Sequence, residues 1–122
     1  MGYKLHITRS HDWWDDEPRK IVREEWERIV ASDPDLKLYS ESEAENRDPC
    51  YRLEIPDLDN AFYYSERTGT IDVGRGYFED VLWKLLEIAA KLGAVVQGDE
   101  GEYYRLTDAG RETTFERPEP GA

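Results

Sequence analysis

The first residues of the chain alternate between apolar and polar side chains. Over residues 3–9 the apolar residues take the odd positions up to Ile7, and polar residues such as His6 take the even ones. A period of two is typical of a strand that buries one face. Residues 10–17 follow neither a strand nor a helix period, so we expect them to form a connection.

Apolar residues then recur at helical spacing around Trp26, between residues 21 and 30. Pro18 suits the first position of a helix, where the N–H that proline lacks would have no partner. Pro34 disfavours helical geometry at Asp33, the residue before it. We therefore expect the first helix to begin at Pro18 and to stop at Asp33.

Short alternating runs separated by turn residues indicate further strands and hairpins. The runs cover residues 36–39, 51–55, 62–65, 70–73, 94–97 and 103–106. Gly69 supplies the positive φ that a tight turn needs, and residues 98–101 form the turn of a second hairpin. The glutamate-rich residues 40–48 are interpreted as a solvated loop.

The longest apolar segment at helical spacing covers residues 77–92 and predicts a second helix that crosses the sheet and ends at Gly93. Its polar stripe consists of Asp80, Lys84, Glu87 and Lys91. This order of elements predicts an α+β fold, a mostly antiparallel sheet of about five to seven strands with two packed helices. We expect residues 1–116 to form one domain and residues 117–122 a flexible tail.

The composition narrows the classes of partner. The chain has 122 residues, and 16 Lys and Arg against 28 Asp and Glu give a net charge of −12. Nucleic acids and anionic membranes select basic surfaces, so neither is an expected partner. Cys50 is the single cysteine, and there is neither a signal-peptide core nor an apolar run of roughly 20 residues. We therefore predict a cytoplasmic protein, and no motif calls for a cofactor.

Adjacent tryptophans within an acidic segment are the most informative feature. Trp13 and Trp14 cannot easily both turn inward from a non-periodic segment, and tryptophan is frequent in interface hot spots. We predict a partner-binding site consisting of Asp12, Trp13, Trp14, Asp15, Asp16, Glu17 and, on the second helix, Trp83. The leading hypothesis is an acidic protein-binding module for a basic protein, in its concrete form an immunity-type inhibitor of a basic toxin or nuclease.

The alternative from another class is a small enzyme, with or without a bound metal, that uses His6, His11 and nearby carboxylates. His6, His11 and Asp12 are chemically suitable metal ligands close together in sequence, with more carboxylates just downstream. Their spacing matches no established ligand motif, and a strand residue and a loop residue need not converge. We therefore predict no catalytic residue and keep this ligand set as the alternative.

Residues 103–112 resemble the wing, and the segment after it, of winged-helix transcription regulators. The resemblance implies that the wing touches DNA and that a recognition helix enters the major groove. The helix before this segment offers only Lys84 and Lys91 among acidic residues, and a domain of charge −12 would be repelled by phosphates. DNA binding is therefore a lesser alternative.

A second resemblance covers most of the chain. Its motifs are Y-x-L-x-I-T-R at residues 3–9, E-E-W at 24–26, D-P-D-L at 33–36 and Q-G-D-E-G-E at 97–102. With these motifs the chain resembles a group of small bacterial proteins. The resemblance implies a bacterial source and a free-standing domain, and it carries no activity or catalytic residue that could be transferred.

Overall fold

The computed structural model describes residues 3–39, 50–53, 61–74 and 78–118. Within those residues the chain forms β1 (Lys4–Thr8), α1 (Arg23–Ser32), β2 (Leu36–Tyr39), β3 (Cys50–Leu53), β4 (Ala61–Ser65), β5 (Thr70–Gly74), α2 (Phe78–Leu92), β6 (Val95–Gly98), β7 (Tyr103–Thr107) and β8 (Gly110–Thr114). The predicted α+β class is confirmed. Eight strands are described, one more than the upper end of the predicted range. The additional strand is β8, which has no apolar residue and therefore shows no hydrophobic period. The predicted loop at residues 40–48 lies outside the described residues.

All eight strands join one sheet in the order β2-β3-β4-β5-β1-β6-β7-β8, and each neighbouring pair is antiparallel. The N-terminal strand β1 therefore lies inside the sheet, between β5 and β6. The registers align one row of side chains across five strands, formed by Tyr63, Asp72, His6, Gln97 and Tyr103. This polar row lies on the face of the sheet opposite to Leu5 and Ile7, because successive strand residues alternate between faces.

The apolar face carries both helices and the core. Leu5 and Ile7 are fully buried there with residues of α2 such as Leu85. Trp26 of α1 stacks on Phe62 with ring centroids 6.4 Å apart. Burial of each such side chain contributes about 1.5–3 kcal/mol, so this layer supplies the main driving force for folding. The described helices have 10 and 15 residues, and neither has the length and apolarity of a membrane span.

The first helix begins later than Pro18, so its predicted start was wrong. Ile21 is held in an extended connection, because its N–H donates to the carbonyl of Gly69 at 2.9 Å and its carbonyl accepts from Tyr64 Oη at 2.7 Å. Helical hydrogen bonding starts only after these contacts. The helix ends at Ser32, immediately before Asp33, as predicted.

Lys84, which was predicted to belong to the polar stripe of the second helix, is buried. Its side chain is 2% exposed, and its Nζ lies 2.5 Å from Asp33, 3.1 Å from Glu87 and 3.2 Å from Asp35. Burial alone would lower the pKa of Lys84, but the hydrogen bonds to the three carboxylates outweigh it and raise the pKa. The cluster joins α2 to the connection between α1 and β2, which is a tertiary contact that helical periodicity does not reveal.

The C-terminal segment is anchored further than predicted. Arg117 donates from Nη1 to the carbonyl of Ser10 and from Nη2 to that of Arg9, the latter at 3.1 Å. Its guanidinium also lies over the ring of Tyr103, 6.0 Å from the centroid. Arg117 therefore belongs to the folded part, and the predicted tail residues 119–122 lie outside the described residues.

Candidate functional site

The segment of residues 10–17, which carries the two tryptophans, crosses the polar face of the sheet. Tyr103 Oη donates to the carbonyl of His11, and the backbone N–H of Trp13 donates to Gln97 Oε1 at 2.8 Å. The amide of Gln97 donates in turn to Asp12 Oδ1 at 2.8 Å and to the carbonyl of Gly101 at 2.9 Å. Gln97 and Tyr103 of the polar row are thus buried, and their hydrogen bonds are directed to the crossing segment.

The indole of Trp13 packs against the sheet and is only partly exposed. Its place in the partner-binding site stays a prediction. Its indole stacks on the ring of His6 with centroids 3.9 Å apart and an interplanar angle of 13°. The indole Nε1 is buried and has no acceptor among the described residues. Stacking and the backbone bond to Gln97, rather than a bond from the indole N–H, therefore fix its orientation.

Trp14 faces outward with 47% of its surface exposed. It meets Trp13 edge-on, with centroids 5.5 Å apart and an interplanar angle of 88°. Its other support is the turn at residues 98–102, where Gly101 has a φ of +98°. A Cβ at Gly101 would lie 2.9 Å from Trp14 Cη2, so the indole rests where only glycine leaves room.

The acids of the segment divide into two groups. Asp12 and Asp15 tie the segment to itself: the N–H of Asp12 donates to Asp15 Oδ2, and the N–H of Asp15 donates to the carbonyl of Asp12, both at 3.1 Å. Asp16 and Glu17 are exposed, and so is Glu100 in the turn beneath Trp14. We call the group of Trp14, Asp16, Glu17 and Glu100 the Trp14 surface.

The turn at residues 98–102 is bound to the start of β1. Tyr3 Oη and Tyr104 Oη both donate to Glu102 Oε2, and the N–H of Glu100 donates to Tyr3 Oη at 3.0 Å. Burial and the hydrogen bond to Glu102 raise the pKa of Tyr3 to about 12, so the phenol keeps its proton at neutral pH. The turn under Trp14 is therefore fixed to the sheet by hydrogen bonds, and its conformation is preorganised.

His6 lies beneath the crossing segment between two carboxylates. It is 2% exposed, its Nδ1 is 2.7 Å from Asp72 Oδ1, and its Nε2 is 2.7 Å from Asp99 Oδ1. An ionised carboxylate only accepts hydrogen bonds, so both contacts are satisfied when both ring nitrogens carry protons. Thr70 Oγ1 also donates to Asp72 Oδ1, at 2.7 Å. Neither Asp72 nor Asp99 was predicted, because their proximity to His6 depends on strand register and on a turn remote in sequence.

The alternative metal ligands do not converge. His11 is exposed and its Nδ1 lies 3.3 Å from Asp12, whereas both nitrogens of His6 already face carboxylates. Within the ranges that the structure describes, no group of three His, Cys, Asp or Glu residues is arranged to hold a metal ion. In this arrangement His6 has no free nitrogen with which to bind a metal or accept a proton from a substrate.

Two other predicted features lie away from the Trp14 surface. Trp83 is 46% exposed on α2, which packs on the opposite face of the sheet, and Lys84 Nζ lies 5.5 Å from its ring centroid. Trp83 therefore does not extend the surface around Trp14. The winged-helix resemblance falls on the β7–β8 hairpin, but Lys84 of the helix before it is buried in an ion cluster and is not presented to DNA.

A groove of about 460 Å³ lies between α2 and β7, a feature that the sequence did not predict. Leu86, Ala90 and Leu106 are among its apolar lining residues. Arg105, at its border, is paired with Glu112 through Nη2 at 2.8 Å. The groove therefore offers apolar contacts to a ligand, and the charge of Arg105 is already paired with Glu112.

Comparison with known proteins finds no match to a family model, to a curated protein or to a solved structure. The geometry of the site is therefore the basis for inferring its function.

Proposed function

We propose that this protein is an acidic protein-binding module that contacts a basic partner through the Trp14 surface. The observation that carries the proposal is the half-exposed indole of Trp14. It rests on a turn that is fixed by hydrogen bonds, and exposed carboxylates flank it. A rigid aromatic anchor loses little conformational freedom on binding, and such anchors account for most of the energy of many interfaces.

The chemistry of the surface favours lysine or arginine on the partner. A cation over the face of a tryptophan gains about 0.5–2 kcal/mol, depending on how far it is desolvated. Asp16, Glu17 and Glu100 would surround such a cation with negative charge. The net charge of −12 would also steer a basic partner over longer distances, and salt would screen this attraction beyond about 8 Å near physiological ionic strength.

In its concrete form the module is an immunity-type inhibitor. Carboxylates at the Trp14 surface would occupy the basic cleft in which a toxin or nuclease binds its anionic substrate, and Trp14 would fill an adjacent apolar pocket. The module would act in the cytoplasm, since a chain with one cysteine needs no internal disulfide for stability. Fast, salt-sensitive association is the kinetic property that this function requires.

The test begins with chemical cross-linking in the source cell, followed by affinity measurement with the purified partner. Trp14→Ala is expected to weaken binding by about 30-fold, the equivalent of a hot spot of about 2 kcal/mol. Trp83→Ala is the matched control, because Trp83 is 46% exposed against 47% for Trp14 and lies on the other face. Asp16→Asn with Glu17→Gln should lower the association rate and flatten its salt dependence.

Equal affinities for the Trp14→Ala and Trp83→Ala proteins would show that the Trp14 surface is not the binding site. A partner without a basic surface, or binding that salt does not weaken, would contradict the electrostatic part of the proposal.

A further inference from the structure

We propose that His6 is a proton-controlled latch that holds the tryptophan segment closed over the sheet. In the closed state the ring is an imidazolium that bridges Asp72 and Asp99 and supports the indole of Trp13. Loss of its proton breaks the contact with Asp99 and shifts the turn at residues 98–102, on which Trp14 rests.

The geometry of the closed state requires two N–H donors. Both ring nitrogens of His6 lie 2.7 Å from carboxylate oxygens, which is hydrogen-bonding distance on each side. A neutral imidazole carries only one N–H, so its second nitrogen would present a lone pair to a carboxylate at that distance. Deprotonation also removes the positive charge between Asp72 and Asp99, which leaves two negative charges on either side of a buried ring.

Asp99 is the contact expected to break. Its side chain is 34% exposed in a turn, so water can solvate it once it leaves the ring. Asp72 is 19% exposed on an interior strand, and Thr70 Oγ1 holds the same oxygen that faces His6. The neutral ring is therefore expected to keep its N–H on the side of Asp72 and to lose Asp99.

The charged groups around the latch come from several elements. Asp72 belongs to β5 and Asp99 to the β6–β7 turn, and Asp99 Oδ2 also accepts the backbone N–H of Lys4 at 2.9 Å. From the crossing segment, Asp12 is joined to the row through Gln97. Among the described residues, Asp72 and Asp99 are the carboxylates that contact the ring nitrogens of His6.

Both tryptophans report the state of the latch. Trp13 stacks on the His6 ring itself, and an imidazolium is held by the face of an indole more strongly than a neutral imidazole is. Trp14 rests on Gly101, two residues after Asp99, so movement of Asp99 shifts its support. Any effect of the latch on partner affinity rests on the proposed function, whereas the conformational change itself does not.

The experiment follows the ring nitrogens of His6 and the indole N–H signals of Trp13 and Trp14 by NMR as the pH is raised from neutral. We expect two protonated ring nitrogens on His6 at neutral pH, and indole shifts that change with the same midpoint as the ring. His11→Gln is the control, since His11 is exposed, and it should leave this transition unchanged. Asp99→Asn should move the transition to lower pH, because one of the two stabilising carboxylates is lost.

A single protonated nitrogen on His6 at neutral pH would overturn the latch, and so would indole signals that stay constant while the ring titrates. Measurements on the wild-type chain decide both points, so the test does not depend on a His6 variant that folds. If the latch titrates as expected but Trp14→Ala leaves partner binding unchanged, the proposed function fails and the latch stands. If Trp14→Ala weakens binding and the indole N–H signals stay constant while His6 titrates, the latch fails and the proposed function stands.

Discussion

Replacing Gly101 by alanine tests whether the turn beneath Trp14 positions the exposed indole. Gly101 has a φ of +98°, and an added Cβ would lie 2.9 Å from Trp14 Cη2. Gly110 offers a matched control, because its φ is +111° and a Cβ there would meet nothing within 4 Å. The two substitutions therefore share the backbone strain and differ in the contact with Trp14.

The magnitude follows from these two contributions. A non-glycine residue at such a φ costs about 1–2 kcal/mol, which both variants should show. At Gly101 the indole must also retreat by about 0.5 Å, from 2.9 Å to the 3.4 Å at which ordinary contact begins. A gap of that size removes about a quarter to a half of the contact energy of a half-buried indole, or about 0.5 kcal/mol. Gly101→Ala is thus expected to be the less stable variant by that amount.

Urea denaturation gives the stability difference, and the indole N–H shift of Trp14 gives the displacement directly. The shift should change in Gly101→Ala and stay at its wild-type value in Gly110→Ala. With a partner in hand, Gly101→Ala should bind about fivefold more weakly, since part of the hot-spot energy is lost. Identical Trp14 signals in the two variants would refute the inference that this turn holds the indole.

The remaining predictions concern the polar contacts that hold the fold. Lys84→Met should lower the free energy of unfolding by about 3 kcal/mol because it leaves Asp33 buried without its cation, and adding Asp33→Asn should restore part of the loss in urea denaturation. Hydrogen bonds from Arg9 hold the pKa of Glu25 at about 2, so its contribution is complete above the usual 4.5 and disappears as the pH falls towards 2. Glu25→Gln should cost about 1–2 kcal/mol at pH 7 and reduce the acid sensitivity in that window, measured by denaturation against pH. Tyr103→Phe should cost about 1–2 kcal/mol and speed amide exchange in the segment of residues 10–17 if its phenol helps to hold that segment.

Most of the fold could be predicted because its hydrophobic periods are regular. The alternation that ends at Ile7 predicted β1, and the apolar residues at helical spacing predicted α2. Gly69 indicated the turn of a hairpin, and it adopts the positive φ expected there. The burial of Lys84 was not predicted, because helical spacing shows only that it shares a polar stripe with Glu87, whereas Asp33 and Asp35 come from another part of the chain. Helical period identifies a face but not which polar residues find partners there.

The candidate site could be predicted only in part. The acidic segment and the expectation that both indoles cannot turn inward came from sequence, and the exposure of Trp14 agrees with the latter. Asp72 and Asp99 were missed because a carboxylate carries no signal of its partner, and His6 meets them only through the register of β5 and the β6–β7 turn. The resemblance to small bacterial proteins remains a prediction.

Which of the two adjacent indoles faces outward is decided by the polar row of the sheet. Gln97 accepts the backbone N–H of Trp13, and the indole of Trp13 stacks on the ring of His6. These two contacts pack Trp13 against the sheet. Trp14 must then point towards the rim, where Gly101 leaves room for its edge. The exposed anchor is therefore set by buried residues that no partner touches. It follows that substitutions at His6 or Gln97 should alter binding at the Trp14 surface even where the overall stability of the fold is retained.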